Sequence, residues 1–159
     1  MKWLGSTKKN KYSITNNGLS FIKQWESFRS TIYLDSAGHQ TIGWGHKLTK
    51  KEIKSNKYAN GIGSEEANVL LKSDLQTAED AVNRYVKIPI EQHQYDMLVS
   101  FVYNVGQGAF KKSTLLKIIN LGPASDQFKR WIYAGGAPVQ GLINRRDDES
   151  YIFENGYPW

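Results

Sequence analysis

Three polar side chains early in the chain have the types and spacing to do chemistry: Glu26, Asp35 nine residues later, and Thr41 six residues beyond that. Helical spacing of Leu19, Ile22, Lys23 and Glu26 predicts a short helix over 17–26 that ends at Glu26. The β-branched and aromatic run 31–34, a turn over 36–39 and a return strand over 41–44 predict a hairpin. If the loop runs from Ser36 to Gln40, Asp35 and Thr41 are cross-strand partners, with Cβ atoms about 5 Å apart. A carboxylate and a hydroxyl so placed can hold one water between them. Glu26, at a helix C-terminus with Trp25 and Phe28 beside it, is disfavoured as an anion by the macrodipole and by desolvation, which suits it to carry a proton. One carboxyl group that donates a proton and another that activates water is what hydrolysis of a glycosidic bond requires. Acids at helix ends and turns are common, and spacing by itself leaves a plain surface role open.

These side chains need elements to hold them. From Ser64, with Glu65 and Glu66 behind it, the apolar positions Ala67, Leu71, Leu75, Ala78, Val82 and Tyr85 recur at helical intervals, predicting one long amphipathic helix over 64–87. Met97, Leu98, Phe101, Val102 and Val105 form a further stripe, read as core. Short helical segments are expected over 114–120, closed by Gly122-Pro123, and over 124–133. Gly135-Gly136-Ala137-Pro138 then breaks the chain before a last helix over 139–154. The reading is an α+β fold, predominantly helical: a loosely ordered basic lead-in over 1–16, then one domain over 17–159. Within it, a small β-containing lobe over 27–62 is joined by the 64–87 helix to a helical lobe made of 17–26 and 90–159.

The chain has 159 residues and no cysteine, which excludes disulfides, thiol nucleophiles and thiolate metal sites. Its net charge of +6 favours a polyanionic partner without choosing among them. No stretch resembles a signal peptide or a membrane span, so a soluble protein made in a cytosol is expected. Three G-x-G triplets extend to neither a dinucleotide fingerprint nor a P-loop. His39, His46 and His93 lack ligand spacing, so no metal is expected, and no cofactor.

The run Trp25-Glu26-Ser27-Phe28-Arg29, then Tyr33-Leu34-Asp35 and Thr41-Ile42-Gly43-Trp44-Gly45-His46, resembles the active-site region of the phage-type lysozymes, glycoside hydrolase family 24. The likeness continues through 101–106, 108–110, 113–116, Arg130-Trp131 and 141–146, and so spans about residues 18 to 155. It implies a lysozyme-like two-lobed fold and an endolysin that cuts the bond between N-acetylmuramic acid and N-acetylglucosamine in bacterial peptidoglycan. It makes Glu26 the general acid, with Asp35 and Thr41 positioning the attacking water in an inverting displacement. It also pairs His46 with Asp74 in a structural role and sets Arg145 near the catalytic glutamate, with Arg146 as the alternative by one residue. Asn104 matches a cleft-lining amide, while a cap at the end of its helix is the plainer reading. Arg145 and Arg146 likewise read, on composition alone, as a solvated helix face with Asp147, Asp148 and Glu149. Trp44 is expected to pack rather than to stack on sugar.

Two rivals compete. A basic helix-turn-helix binder would use the Met97 and Thr114 helices, with Lys111, Lys112, Lys117, Lys129, Arg130, Arg145 and Arg146 facing phosphate, but it leaves Glu26, Asp35 and Thr41 without a purpose. A lytic transglycosylase cuts the same bond with one acid and no water, against which Asp35 and Thr41 stand. The expected partner is peptidoglycan, anionic through its peptide carboxylates. Nucleic acid and stable membrane insertion are not expected, and the protein is expected to be a monomer that accumulates in the host cytoplasm and reaches the wall through a separately made pore.

Overall fold

Thr15 begins the first helix, α1 (Asn16–Glu26), by accepting the Gly18 N–H on its hydroxyl at 3.1 Å, as an N-cap side chain does. The computed structural model describes residues 12–121 and 125–159, without the side chain of Ser125. These form two compact units, Leu19–Gln76 and a second made of Thr77–Trp159 with residues 12–18. Among the described residues, no helix is long and apolar enough to cross a membrane.

The smaller unit holds a three-stranded antiparallel sheet in the order β1 (Arg29–Leu34), β2 (Gln40–Gly43), β3 (His46–Lys47), followed by a short helix α2 (Lys50–Lys54). The register differs from expectation. Thr41 pairs with Tyr33 and Leu34 with Gln40, so Asp35 lies just beyond the strand end and not opposite Thr41. The pairing of Arg29 with Gly43 reveals an irregularity in β1, between Arg29 and Tyr33, that shifts the register by two residues. Because side chains alternate with period two, Asp35 keeps the face of Tyr33, but its relation to Thr41 becomes diagonal, roughly 7–8 Å instead of about 5 Å. The sheet packs through Ile42 on a core of Tyr58, Ile62 and Ala67, with Trp44, Leu48 and Leu70 at its margin. Gly61 closes this unit: its φ is +77°, and a Cβ there would stand 2.6 Å from the Ser30 carbonyl oxygen.

Helix α3 (Ser64–Tyr85) buries Ala67, Leu71, Leu75, Ala78 and Val82 of the expected stripe, leaves its last member, Tyr85, half-buried, and ends two residues short of the expected 87. The larger unit continues with α4 (Gln92–Val105), α5 (Gln107–Lys112) and α6 (Thr114–Ile119), and closes with α7 (Gln140–Asn155). Its core is aromatic. Phe101 on α4 meets Phe110 at 6.4 Å, Phe128 at 5.5 Å and Trp131 at 5.5 Å, all edge-on, and Phe128 meets Phe153 of α7 at 5.2 Å.

Two expectations fail in this unit. The helix expected over 124–133 is a 3-10 helix, Ser125–Arg130, followed by a strand pair, β4 (Tyr133–Ala134) and β5 (Ala137–Pro138). Gly135 and Gly136, at φ of +60° and +80°, supply the two left-handed residues that a two-residue hairpin turn needs. Ala124 and the Gly122-Pro123 stop lie outside the described residues. The lead-in is also not loose up to Asn16. Tyr12 donates its hydroxyl to the Ile90 carbonyl at 2.7 Å, and the Ile14 N–H goes to Glu79 at 2.6 Å. Thr15 donates its N–H and its hydroxyl to fully buried Asp96. Buried carboxylates need such donors, and the segment supplies them. Met1 to Lys11, the rest of that lead-in, lie outside the described residues.

Candidate active site

The hairpin tip is built around Asp35. Its Oδ1 accepts the N–H groups of Ala37 at 2.9 Å and His39 at 2.8 Å, fixing the turn by the local hydrogen bonding that aspartate favours. Its Oδ2 lies 3.4 Å from His39 Nδ1 and 3.9 Å from Lys47 Nζ. The His39 N–H, against some burial and with help from the Ala37 N–H, holds the Asp35 carboxyl below the ordinary range. Thr41 is buried and spends its hydroxyl proton on the His39 carbonyl at 3.0 Å, so its oxygen faces any further partner as an acceptor.

Glu26 is the last residue of α1, and Ser27 after it turns the chain with φ of +52°, the left-handed stop common at helix ends. Tyr33 ties the residues together. It is the cross-strand partner of Thr41. Its phenol is pushed up by burial and then by the charges of Glu26 and, more weakly, Asp35, with Arg29 opposing. Both carboxylates therefore lie within electrostatic reach of one hydroxyl. Tyr33 was not singled out in the sequence; its position two residues before Asp35 on the same strand face was the available signal.

His46 and Asp74 lie together, with Nδ1 2.8 Å from Asp74 Oδ2. The sequence reading missed the third member, Glu52, whose Oε2 lies 3.1 Å from His46 Nε2. Glu52 also closes a capping box with Thr49 at the start of α2, and the T-x-x-E run from Thr49 was the overlooked signal. Trp44 packs beside Phe28 at 5.2 Å, with Lys23 Nζ 5.4 Å from its ring centre. Among the described residues, no three His, Asp or Glu side chains form a group able to hold a metal ion.

Asn104 and Arg145 belong to the larger unit. The solvated-face reading fails for the arginines. Arg145 is 4% exposed and Arg146 fully buried, both against Glu149, which is itself fully buried. Arg145 Nε sits 3.2 Å from Glu149 Oε1 and its Nη2 donates to the Ser100 carbonyl at 3.2 Å. Arg146 Nε lies 2.8 Å from Glu149 Oε2, and Nη1 donates to Asn104 Oδ1 at 3.0 Å. Burial pushes the Glu149 carboxyl up, and the two guanidinium groups and Ser100 oppose it. With these cations inside, the phosphate-facing basic surface of the helix-turn-helix reading loses two of its members. Asn104 stands near the end of α4 in the wall of a groove of about 460 Å³, shared with Val105, Arg130, Trp131, Tyr133 and Leu142.

A family model described as phage lysozyme matches residues 23–149. An endolysin of Bacillus phage PZA is 37% identical over 153 residues, covering 91% of this chain and 56% of that protein, so the chain spans about half the length of that relative. An endolysin of Salmonella phage P22 is 40% identical over 145 residues, covering 88% of this chain and 97% of the relative. Among solved structures, the muramidase domain of SpmX from Asticaccaulis excentricus matches with a TM-score of 0.78 at 32% identity, over 89% of this chain and 97% of that one. The family match takes in all three hairpin-region residues, and the P22 relative aligns almost from end to end; the chain belongs to the phage lysozyme family.

Proposed function

We propose that the protein is an endolysin-type muramidase, which hydrolyses the β-1,4 bond between N-acetylmuramic acid and N-acetylglucosamine of peptidoglycan and so lyses the host. Glu26 is the general acid, giving its proton to the departing glycosidic oxygen. Asp35 and Thr41 hold the attacking water. What supports these roles is Tyr33, whose phenol feels the charges of both Glu26 and Asp35 and which pairs with Thr41 across the hairpin. Asp35 is ionised, and Thr41 directs its hydroxyl hydrogen to the His39 carbonyl in a hydrogen bond, so both present acceptor oxygens to a water. A water donating to both directs its lone pair outward, towards an anomeric carbon. That chemistry is a single displacement with inversion.

The protein acts as a monomer and reaches the wall from the host cytoplasm through a separately made pore. Export of the chain when expressed alone would overturn that route, and a dimer in sedimentation would overturn the monomer. The catalytic test is wall clearing. Wild type is expected to clear a suspension of bacterial walls and to leave reducing N-acetylmuramic acid ends in the α anomer. Glu26→Gln is expected to lose clearing at unchanged thermal stability. An anhydro end would mean a transglycosylase, and an unchanged polymer a binding module; either result, or normal clearing by Glu26→Gln, refutes the assignment.

A further inference from the structure

Arg146 is an unusual residue to find with no exposed surface. Glu149 accepts a hydrogen bond from its Nη2 at 2.9 Å and stands as an ion-pair partner 2.8 Å from its Nε, and the Phe101 ring lies 5.1 Å from its guanidinium carbon. On the side away from Glu149, Nη1 donates to Asn104 Oδ1 at 3.0 Å. A guanidinium only donates hydrogen bonds, so the amide atom facing it must be the oxygen. Asn104 is exposed, and its amide nitrogen is therefore turned outward in the groove wall. An exposed asparagine ordinarily offers either end; here one end is taken from inside the protein.

We infer that Arg146 is a positioning residue: it fixes the Asn104 amide so that the groove presents N–H donors, and thus selects a carbonyl or carboxylate oxygen of the wall strand. The inference rests on the muramidase reading and adds what this groove recognises. Two further features fit an oxygen acceptor on an amphipathic ligand. Arg130 places a cation at the same groove. Trp131, braced edge-on by Phe101 at 5.5 Å, and Tyr133, 62% exposed, supply aromatic faces beside it.

The test uses the intact chain and isolated walls. Asn104→Asp keeps an oxygen for Arg146 and replaces the outward donor by an acceptor. It is expected to raise KM about tenfold or more, the loss of one charge-assisted or well-formed hydrogen bond plus repulsion, with kcat within about twofold. Arg146→Lys keeps a cation for Glu149 but not the fork that reaches Asn104. In that background the Asn104→Asp penalty is expected to fall below about threefold, because the amide is no longer held in one orientation. An unchanged KM in Asn104→Asp, or the same penalty in both backgrounds, overturns the inference. Should Arg146→Lys not fold, the wild-type protein carries the test alone through its Asn104 side-chain amide resonances. Those resonances are expected to shift on titration with a disaccharide carrying its stem peptide or with chitotriose. A shift with chitotriose marks an N-acetyl carbonyl as the acceptor, a shift with the peptide-bearing fragment alone marks a carboxylate or peptide carbonyl, and no shift with either overturns the inference. Failure of the muramidase reading is visible separately, as a wild type that does not cut walls.

Discussion

Replacing Glu52 by Gln tests the environment of His46 directly. Both ring nitrogens of His46 face carboxylate oxygens, Nδ1 to Asp74 at 2.8 Å and Nε2 to Glu52 at 3.1 Å. A neutral imidazole has one N–H, so only the imidazolium satisfies both partners. The Asp74 hydrogen bond, against burial and with help from Glu52, raises the His46 pKa above 6.5. Burial opposes the charge of Glu52, but the Thr49 N–H, His46 and the Thr49 hydroxyl outweigh it and hold its carboxyl down at about 2. The raised histidine contributes stability that is complete below 6.5 and is lost as pH rises through its folded value. The depressed glutamate contributes stability that is complete above 4.5 and is lost as pH falls towards about 2. Both contributions coexist between those limits, and pH 5.5 lies inside the window. Losing one partly exposed, charge-assisted bond there is expected to cost about 1.5 kcal/mol, or roughly 3–6 °C in Tm for a chain of this size. At pH 9 Tyr58 and Lys57, the other neighbours of Glu52, remain protonated because both are raised, so the change between the two pH values belongs to His46. Thermal unfolding by circular dichroism at both pH values, with an NMR titration of His46, measures this. An equal loss of Tm at pH 5.5 and pH 9, or a His46 titrating at or below 6.5, refutes the reasoning.

Two more perturbations probe the hairpin unit. Gly61→Ala combines a left-handed backbone with a Cβ 2.6 Å from the Ser30 oxygen, a backbone atom that cannot swing away. A loss of about 2–4 kcal/mol in denaturant unfolding is expected, and a change under about 0.5 kcal/mol would show that the close approach carries no weight. The Asp35 carboxyl, held down by the His39 and Ala37 N–H groups, is expected to titrate below 3.8. As pH falls, activity that needs its charge therefore persists until that lower value is reached, while the chain stays folded. Carboxyl NMR on the free enzyme checks this, and a titration at or above 3.8 contradicts it.

Much of the fold was legible in the sequence because the relevant forces are local. The β-branched and aromatic make-up of the 31–34 and 41–44 runs located the hairpin, and the period of the α3 stripe located its buried face, since side-chain shape and apolar spacing act over a few residues. The Gly135-Gly136 hairpin was missed because strands of two residues have no period to detect, and α2 because five residues are too few. The residue types Glu26, Asp35 and Thr41, together with their order, come from the chain alone. The tertiary structure decided their geometry. Pairing register is a relation between two strands, and the turn closed between Asp35 and His39 set Thr41 opposite Tyr33, which no pattern within either strand specifies. It also decided which charges are solvated. Arg145, Arg146 and Glu149 sit beside Asp147 and Asp148 in sequence, yet the first three are buried and the other two exposed. The sequence of α7 supplies cations and anions at helical spacing; only packing against Ser100, Phe101 and Asn104 of α4 withdraws water from one side of it. A charge is desolvated by its neighbours from other segments, and those neighbours exist only once the chain has folded.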